Sequence, residues 1–265
     1  MSNSSDKNKP SKHKLNGKDS NVTPFPGEKE RISIQVEKVK AQKNQEKSKS
    51  EPILNLPPCV KIFCTLLIVI HIILYTLVPV KYLIAAYAYL SFLPFLYQAP
   101  FDHSLHILTM PFTHALLHGG WIHLGVNIAM LGAFGSVIER TVHWRGFMMI
   151  FWASVLAGAM AHLILFWGST GPMVGASGGI SGLFGALLRL MQDRGHMRPG
   201  LRGLLPICAL WIGISILFAL FGHVPGESAE IAWSAHLGGF LAGLFIYPWV
   251  MRRVRQRGRH PQFYQ

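Results

Sequence analysis

Hydrophobic and polar positions divide the chain near residue 58. Residues 1–57 are rich in Ser, Asn, Lys and Gln and carry few large apolar side chains. Such a stretch buries too little surface to offset the entropy of ordering, which predicts a disordered cytoplasmic tail. Within it, Lys29 to Lys49 favours at most a transient helix. From Cys59 onward the pattern changes to long apolar runs separated by short polar turns. A membrane-spanning helix needs about 20 apolar residues. Six runs qualify, at about 59–80, 121–138, 146–167, 176–191, 203–222 and 231–251. The fourth is short: its 16 residues rise only about 24 Å, less than a hydrocarbon core of about 30 Å. A further apolar stretch, Tyr82 to Leu96, follows Pro79. It is expected to lie in the membrane interface as part of a long outer loop, a place its tyrosines suit.

Composition agrees with this division. Hydrophobic residues make up 50% of the 265, and charged residues only 14%, against about 25% charged in a soluble domain. That excludes a single water-soluble core, and the apolar content excludes disorder of the whole chain. Three cysteines, Cys59, Cys64 and Cys208, are too few for a disulfide scaffold, and nothing around them suggests a metal site. The net charge of +13 is placed unevenly. Arginines gather at Arg140 and Arg145, at Arg189 to Arg202, and at Arg252 to Arg259. The opposite loops, about 97–120, 168–175 and 223–230, contain no Lys or Arg. The positive-inside rule then puts both termini in the cytoplasm. The tail matches neither a secretory signal nor a mitochondrial presequence: no apolar core follows closely, and it holds one Arg and seven acids. The expected organisation is a basic tail over 1–57, a six-helix membrane domain over 58–251, and a basic cytoplasmic tail over 252–265.

Polar groups inside a bilayer are costly and usually retained for a reason. No Asp or Glu falls within an expected span, which argues against a paired-aspartate protease and most carboxylate-driven pumps. His-Glu-x-x-His is absent, so the zinc-protease signature is missing. Three polar clusters remain. The first is His114, His118, His123 and Asn127; the second is Gly175-Ala176-Ser177-Gly178; the third is His236 in Ala235-His236-Leu237-Gly238-Gly239. All three fall towards the outer face. Ser177 opens the short fourth helix, whose N-terminus would stabilise a developing oxyanion. Taken alone, a serine in a Gly-rich stretch is more often a small packing residue. Its match to the G-x-S-x-G elbow of soluble hydrolases is accidental, because no sheet surrounds it. The candidate base is His236. Gly239 and Gly243 share its helical face, and Gly178, Gly182 and Gly185 make a similar strip after Ser177. Small strips let membrane helices approach closely, and such an approach brings His236 towards Ser177. With no carboxylate in the spans, the pair reads as a Ser–His dyad. His123 and Asn127 lie one turn apart on one helix face. They suit either an oxyanion hole or an interhelical hydrogen bond. His114 and His118 have the i, i+4 spacing of a metal pair but no obvious third ligand. His71 and His162 read as packing residues.

At these residues the chain resembles the rhomboid family of intramembrane serine proteases. The resemblance covers about 59–251. It rests on His123-x-x-x-Asn127, Gly175-x-Ser177-Gly178 and Ala235-His236-x-x-Gly239-x-x-x-Gly243. It implies an all-α, six-transmembrane-helix bundle with Ser177 as nucleophile and His236 as general base. It further implies that His123, Asn127 and the Ser177 backbone N–H line the oxyanion hole. The implied partners are the bilayer and single-pass or multi-pass membrane-protein substrates, cut in a transmembrane segment near its outer end; neither a cofactor nor nucleic acid is implied. The expected location is the cell's inner membrane. Two positions depart from the family pattern. Thr109-Met110 stands where many members have Trp-Arg, and Ser181 stands where many have an aromatic residue that stacks on the catalytic histidine. Another group, such as Trp233, is then expected to hold His236. Two rival readings use the same residues: a non-proteolytic rhomboid-like binder of unstable transmembrane helices, and a transporter of small solutes or metals built on His114 and His118.

Overall fold

A computed structural model describes residues 55–98, 105–221 and 233–257, with Gly27, Ser33, 35–38 and Lys40 in the N-terminal part. The chain divides into two units, Met1–Asn55 and Leu56–Gln265. In the first, the described residues from Ser33 to Lys40 are helical and exposed. The remainder of the expected tail, residues 99–104 of one expected outer loop, residues 222–232, which hold the expected loop 223–230 and the adjoining span ends, and 258–265 lie outside the described residues.

The second unit is helical. α1 runs over Pro58–Ile72 and continues through a π-helical turn, Ile73–Leu77. Pro58 opens it at a position where a missing N–H costs nothing. The carboxylate of Glu139 closes this end, accepting from the Cys59 and Val60 N–H groups at 3.0 and 2.8 Å. A buried anion at a helix N-terminus serves as both cap and dipole partner. Glu139→Ala leaves these donors without an acceptor, at an expected cost of about 2–3 kcal/mol. Thermal unfolding in detergent measures it, and an unchanged melting temperature contradicts the capping role.

Pro79 precedes α2, Val80–Leu90. Its 11 residues rise about 16 Å, too little to cross a bilayer. The expected outer loop therefore contains a short helix, followed by a 3₁₀ turn at Pro94–Tyr97 and α3, Leu105–Thr113. α4, Trp121–Met130, passes through a second π-helical turn, Leu131–Gly135, into α5, Ser136–Leu165. Drawn straight, these 45 residues would extend about 67 Å. They reverse instead at His143, whose φ of 60° and ψ of 172° lie outside the helical region. Histidine is among the side chains that enter positive φ more readily. Beyond the reversal, Phe147 returns to pack on Gly135, where an added Cβ would lie 3.2 Å from its ring.

α6 is Ser177–Asp193, α7 is Leu201–Phe221 and α8 is Trp233–Arg257. Helices α5, α6 and α8 meet backbone to backbone. A Cβ on Gly239 would overlap the Gly178 carbonyl oxygen, and one on Gly243 would overlap that of Gly182. A Cβ on Gly158 would lie 2.8 Å from the Ala235 oxygen, and one on Gly238 would lie 2.6 Å from that of Ala157. Small residues on all three helices thus permit the approach. Outside this seam, Ile62, Val126, Ile164, Leu210 and Phe245 present apolar side chains outward. Pro58–Leu77, Trp121–Leu165 and Trp233–Gln256 are long and apolar enough to cross a membrane, while the apolar helices Val80–Leu90 and Arg202–Ile216 are shorter. Exposed apolar faces on helices of this length mark a membrane protein, because lipid rather than water solvates them.

Candidate active site

The N-terminus of α6 is placed by the segment before it. Phe92 and Met173 exchange backbone hydrogen bonds, both at 3.0 Å, and the Gly175 N–H donates to the His114 carbonyl at 2.9 Å. Gly175 has a φ of +122°, a conformation that side chains rarely adopt. A Cβ there would also sit 2.9 Å from His123 Nε2 and 3.6 Å from Ser177 Oγ. The missing side chain therefore leaves one small space bordered by both residues. The His114 ring bonds to the Met110 carbonyl through Nδ1 at 3.0 Å. This histidine secures the loop with its backbone as well as its ring, a role its sequence spacing did not suggest.

Ser177, half-buried, is the first residue of α6, and His236 lies in the first turn of α8. Ser177 Oγ is 2.8 Å from His236 Nε2. His236 Nδ1 is buried and has no hydrogen-bond partner among the described residues. No ring packs on this imidazole among them either, and the Trp233 indole instead meets Phe166 edge-on at 6.2 Å. The expectation that Trp233 holds His236 is therefore not met. The packed seam supports it instead, through Gly178 against Ala235 and Gly239, and Gly238 against Ala157 and Ala161. One further bond ties this end of α8 to α5: His162 Nδ1 lies 2.8 Å from Ser234 Oγ, two residues before His236. The sequence reads His162 as a helix-packing or interface residue, and nothing in the local pattern pairs it with Ser234.

His123 Nδ1 accepts the Gly119 N–H at 3.4 Å, which places the proton of a neutral imidazole on Nε2, the atom facing Gly175 and Ser177. Asn127 lies one turn further along α4. One N–H of its amide donates to the His123 carbonyl at 2.8 Å, and its Oδ1 is buried without a partner among the described residues. The structure thus sets Ser177 between His236, which it contacts, and His123, which borders the same space at Gly175, and turns one N–H of the Asn127 amide back onto its own helix. His118 stands in the turn ahead of α4, with its ring 5.2 Å from that of His123. Burial, aided by the neighbouring histidines, pushes its pKa down to about 3 and keeps it neutral. Among the described residues no group of three or more His, Cys, Asp or Glu is arranged to hold a metal ion.

An all-helical membrane protein with a serine and a histidine joined across two glycine-packed helices defines a narrow class. The chain belongs to the Rhomboid family: the Rhomboid domain matches residues 105–253. It is 31% identical over 133 residues to Rhomboid protease GluP of Bacillus subtilis (strain 168), covering 50% of this chain and 24% of that protein. It is 30% identical over 131 residues to RHOMBOID-like protein 5 of Arabidopsis thaliana, covering 49% of this chain and 40% of that protein. It is 27% identical over 138 residues to Rhomboid protease GlpG of Pectobacterium atrosepticum, covering 52% and 47%. The chain spans less than half the length of each of these relatives.

Proposed function

We propose that this chain is an intramembrane serine endopeptidase that cuts transmembrane segments of other membrane proteins near their outer end. The observation that carries the reading is the 2.8 Å contact between Ser177 Oγ and His236 Nε2 at the N-terminus of α6. His236 takes the hydroxyl proton as Ser177 attacks a substrate carbonyl, then delivers it to the leaving amine. The oxyanion is met by the Ser177 backbone N–H, by Nε2–H of His123 and by the second N–H of the Asn127 amide. Water then releases the acyl group from Ser177. The chemistry needs no cofactor.

The membrane domain, about 58–251, has six spans in this reading. The reversal at His143 divides Trp121–Leu165 into two of them. The short α6 is a third; it is tucked among its neighbours, so its N-terminus lies below the membrane surface within reach of water. Arginine-bearing turns face the cytoplasm with both termini, in a cell's inner membrane. A substrate segment must leave its helix to be cut, because helical amides are already paired.

The test is cleavage of a reporter transmembrane segment with small and helix-weakening residues, co-reconstituted with the full chain in liposomes. Mass spectrometry of the products is expected to place the cut near the segment's outer end. Capture of the segment without cleavage would favour the non-proteolytic binder.

A further inference from the structure

Taking His123 as an oxyanion donor, as in the reading above, we infer that Tyr75 and Tyr87 are positioning residues that hold its proton on Nε2. The two hydroxyls converge on the turn ahead of α4. Tyr87 Oη donates to the His118 carbonyl at 2.6 Å, and Tyr75 Oη donates to the Gly119 carbonyl at 2.8 Å. The two phenol oxygens are 3.4 Å apart. Tyr75 comes from the π-helical end of α1, where its ring stacks on His71 at 4.2 Å, and Tyr87 comes from α2. Burial and the adjacent Tyr75 hydroxyl push the pKa of Tyr87 up, so it remains a proton donor.

The His118 carbonyl and the Gly119 N–H belong to one planar peptide unit and point in opposite directions. Tyr87 holds the carbonyl end, and His123 Nδ1 accepts from the N–H end at 3.4 Å. The hydroxyl, the peptide and the imidazole therefore form one chain of polarised hydrogen bonds that ends at Nε2–H beside Ser177. The plane has freedom to turn, because Gly119 and Gly120 follow it without side chains. If it turned over, a carbonyl would face Nδ1. The proton would move to Nδ1, and a lone pair on Nε2 would face the developing oxyanion. The tyrosine hydroxyls, one on each of the two successive carbonyls, oppose that turn. Their role lies in the hydroxyl and not the ring, so phenylalanine isolates it.

The test uses the full-length chain in detergent micelles with a fluorophosphonate probe, whose phosphoryl oxygen gathers charge as Ser177 attacks. The Tyr75→Phe/Tyr87→Phe double variant is expected to phosphonylate about tenfold more slowly at saturating probe, with half-saturation unchanged. In a His123→Ala background the same two changes are expected to have no further effect. Independently of activity, ¹⁵N spectra of histidine-labelled Tyr87→Phe are expected to move the His123 signals from the Nε2–H pattern towards a mixture of tautomers. This readout serves also if the double variant fails to fold. Wild-type rates in the double variant, an equal loss on top of His123→Ala, or unmoved His123 signals would each overturn the positioning role. Wild-type protein that reacts alongside unaffected variants removes the clamp alone. Wild-type protein that does not react removes the serine reading and the clamp with it.

Discussion

Ser177→Ala and His236→Ala are each expected to lower cleavage by at least about 10³-fold while leaving the protein folded. The two side chains act through one 2.8 Å contact, so the double variant should be little worse than either single one. Neither substitution empties a large part of the core, because both residues are half-buried at the site and the seam beneath them is made of glycine and alanine backbone. Their melting temperatures should stay within a few degrees of wild type. Reporter cleavage in liposomes, on preparations cleared of contaminating protease, measures the first effect, and thermal unfolding measures the second. Full turnover by Ser177→Ala would contradict the assignment.

Gly239→Val and Gly243→Val are expected to fail differently, losing activity and stability together. Each new side chain would overlap a carbonyl oxygen of α6, Gly178 in one case and Gly182 in the other. Backbone has no alternative rotamer, so α8 must move away from α6. Overpacking of this kind costs about 3 kcal/mol. Moving His236 by about 1 Å relative to Ser177 costs a further factor of about 10² in rate. Gly213→Ala on α7 is the control, since an added Cβ there meets nothing within 4 Å. It should leave melting temperature and cleavage unchanged. A Gly243→Val protein with wild-type stability would show that the helices are not held at these positions.

Much of this arrangement is legible in the sequence because its causes are local. Long apolar runs predict helices, and a helix that begins with Gly-x-Ser-Gly predicts where its terminus falls. Glycines at the spacing of Gly239 and Gly243 predict a close helix contact, which the structure makes at Gly178 and Gly182. What the sequence does not disclose depends on backbone groups far apart in the chain. The His114 carbonyl that ties down Gly175, the Glu139 carboxylate that caps α1 and the tyrosines on the His118–Gly119 turn leave no periodic trace. One expectation also fails for a definite physical reason. Trp233 lies on the face of α8 that meets Phe166, so it does not support His236. One N–H of the Asn127 amide finds an acceptor one turn back, at the His123 carbonyl, a contact the sequence pattern does not announce. Spacing of four residues predicts a shared helix face, but it does not predict which of two acceptors a side chain meets.

The most direct measurement of the central claim is covalent. Purified full-length chain and its His236→Ala variant are treated with a fluorophosphonate probe, and the modified residue is mapped by mass spectrometry. A single adduct on Ser177 that is lost in His236→Ala is expected. An adduct on another serine, or equal labelling of Ser177 without His236, would contradict it.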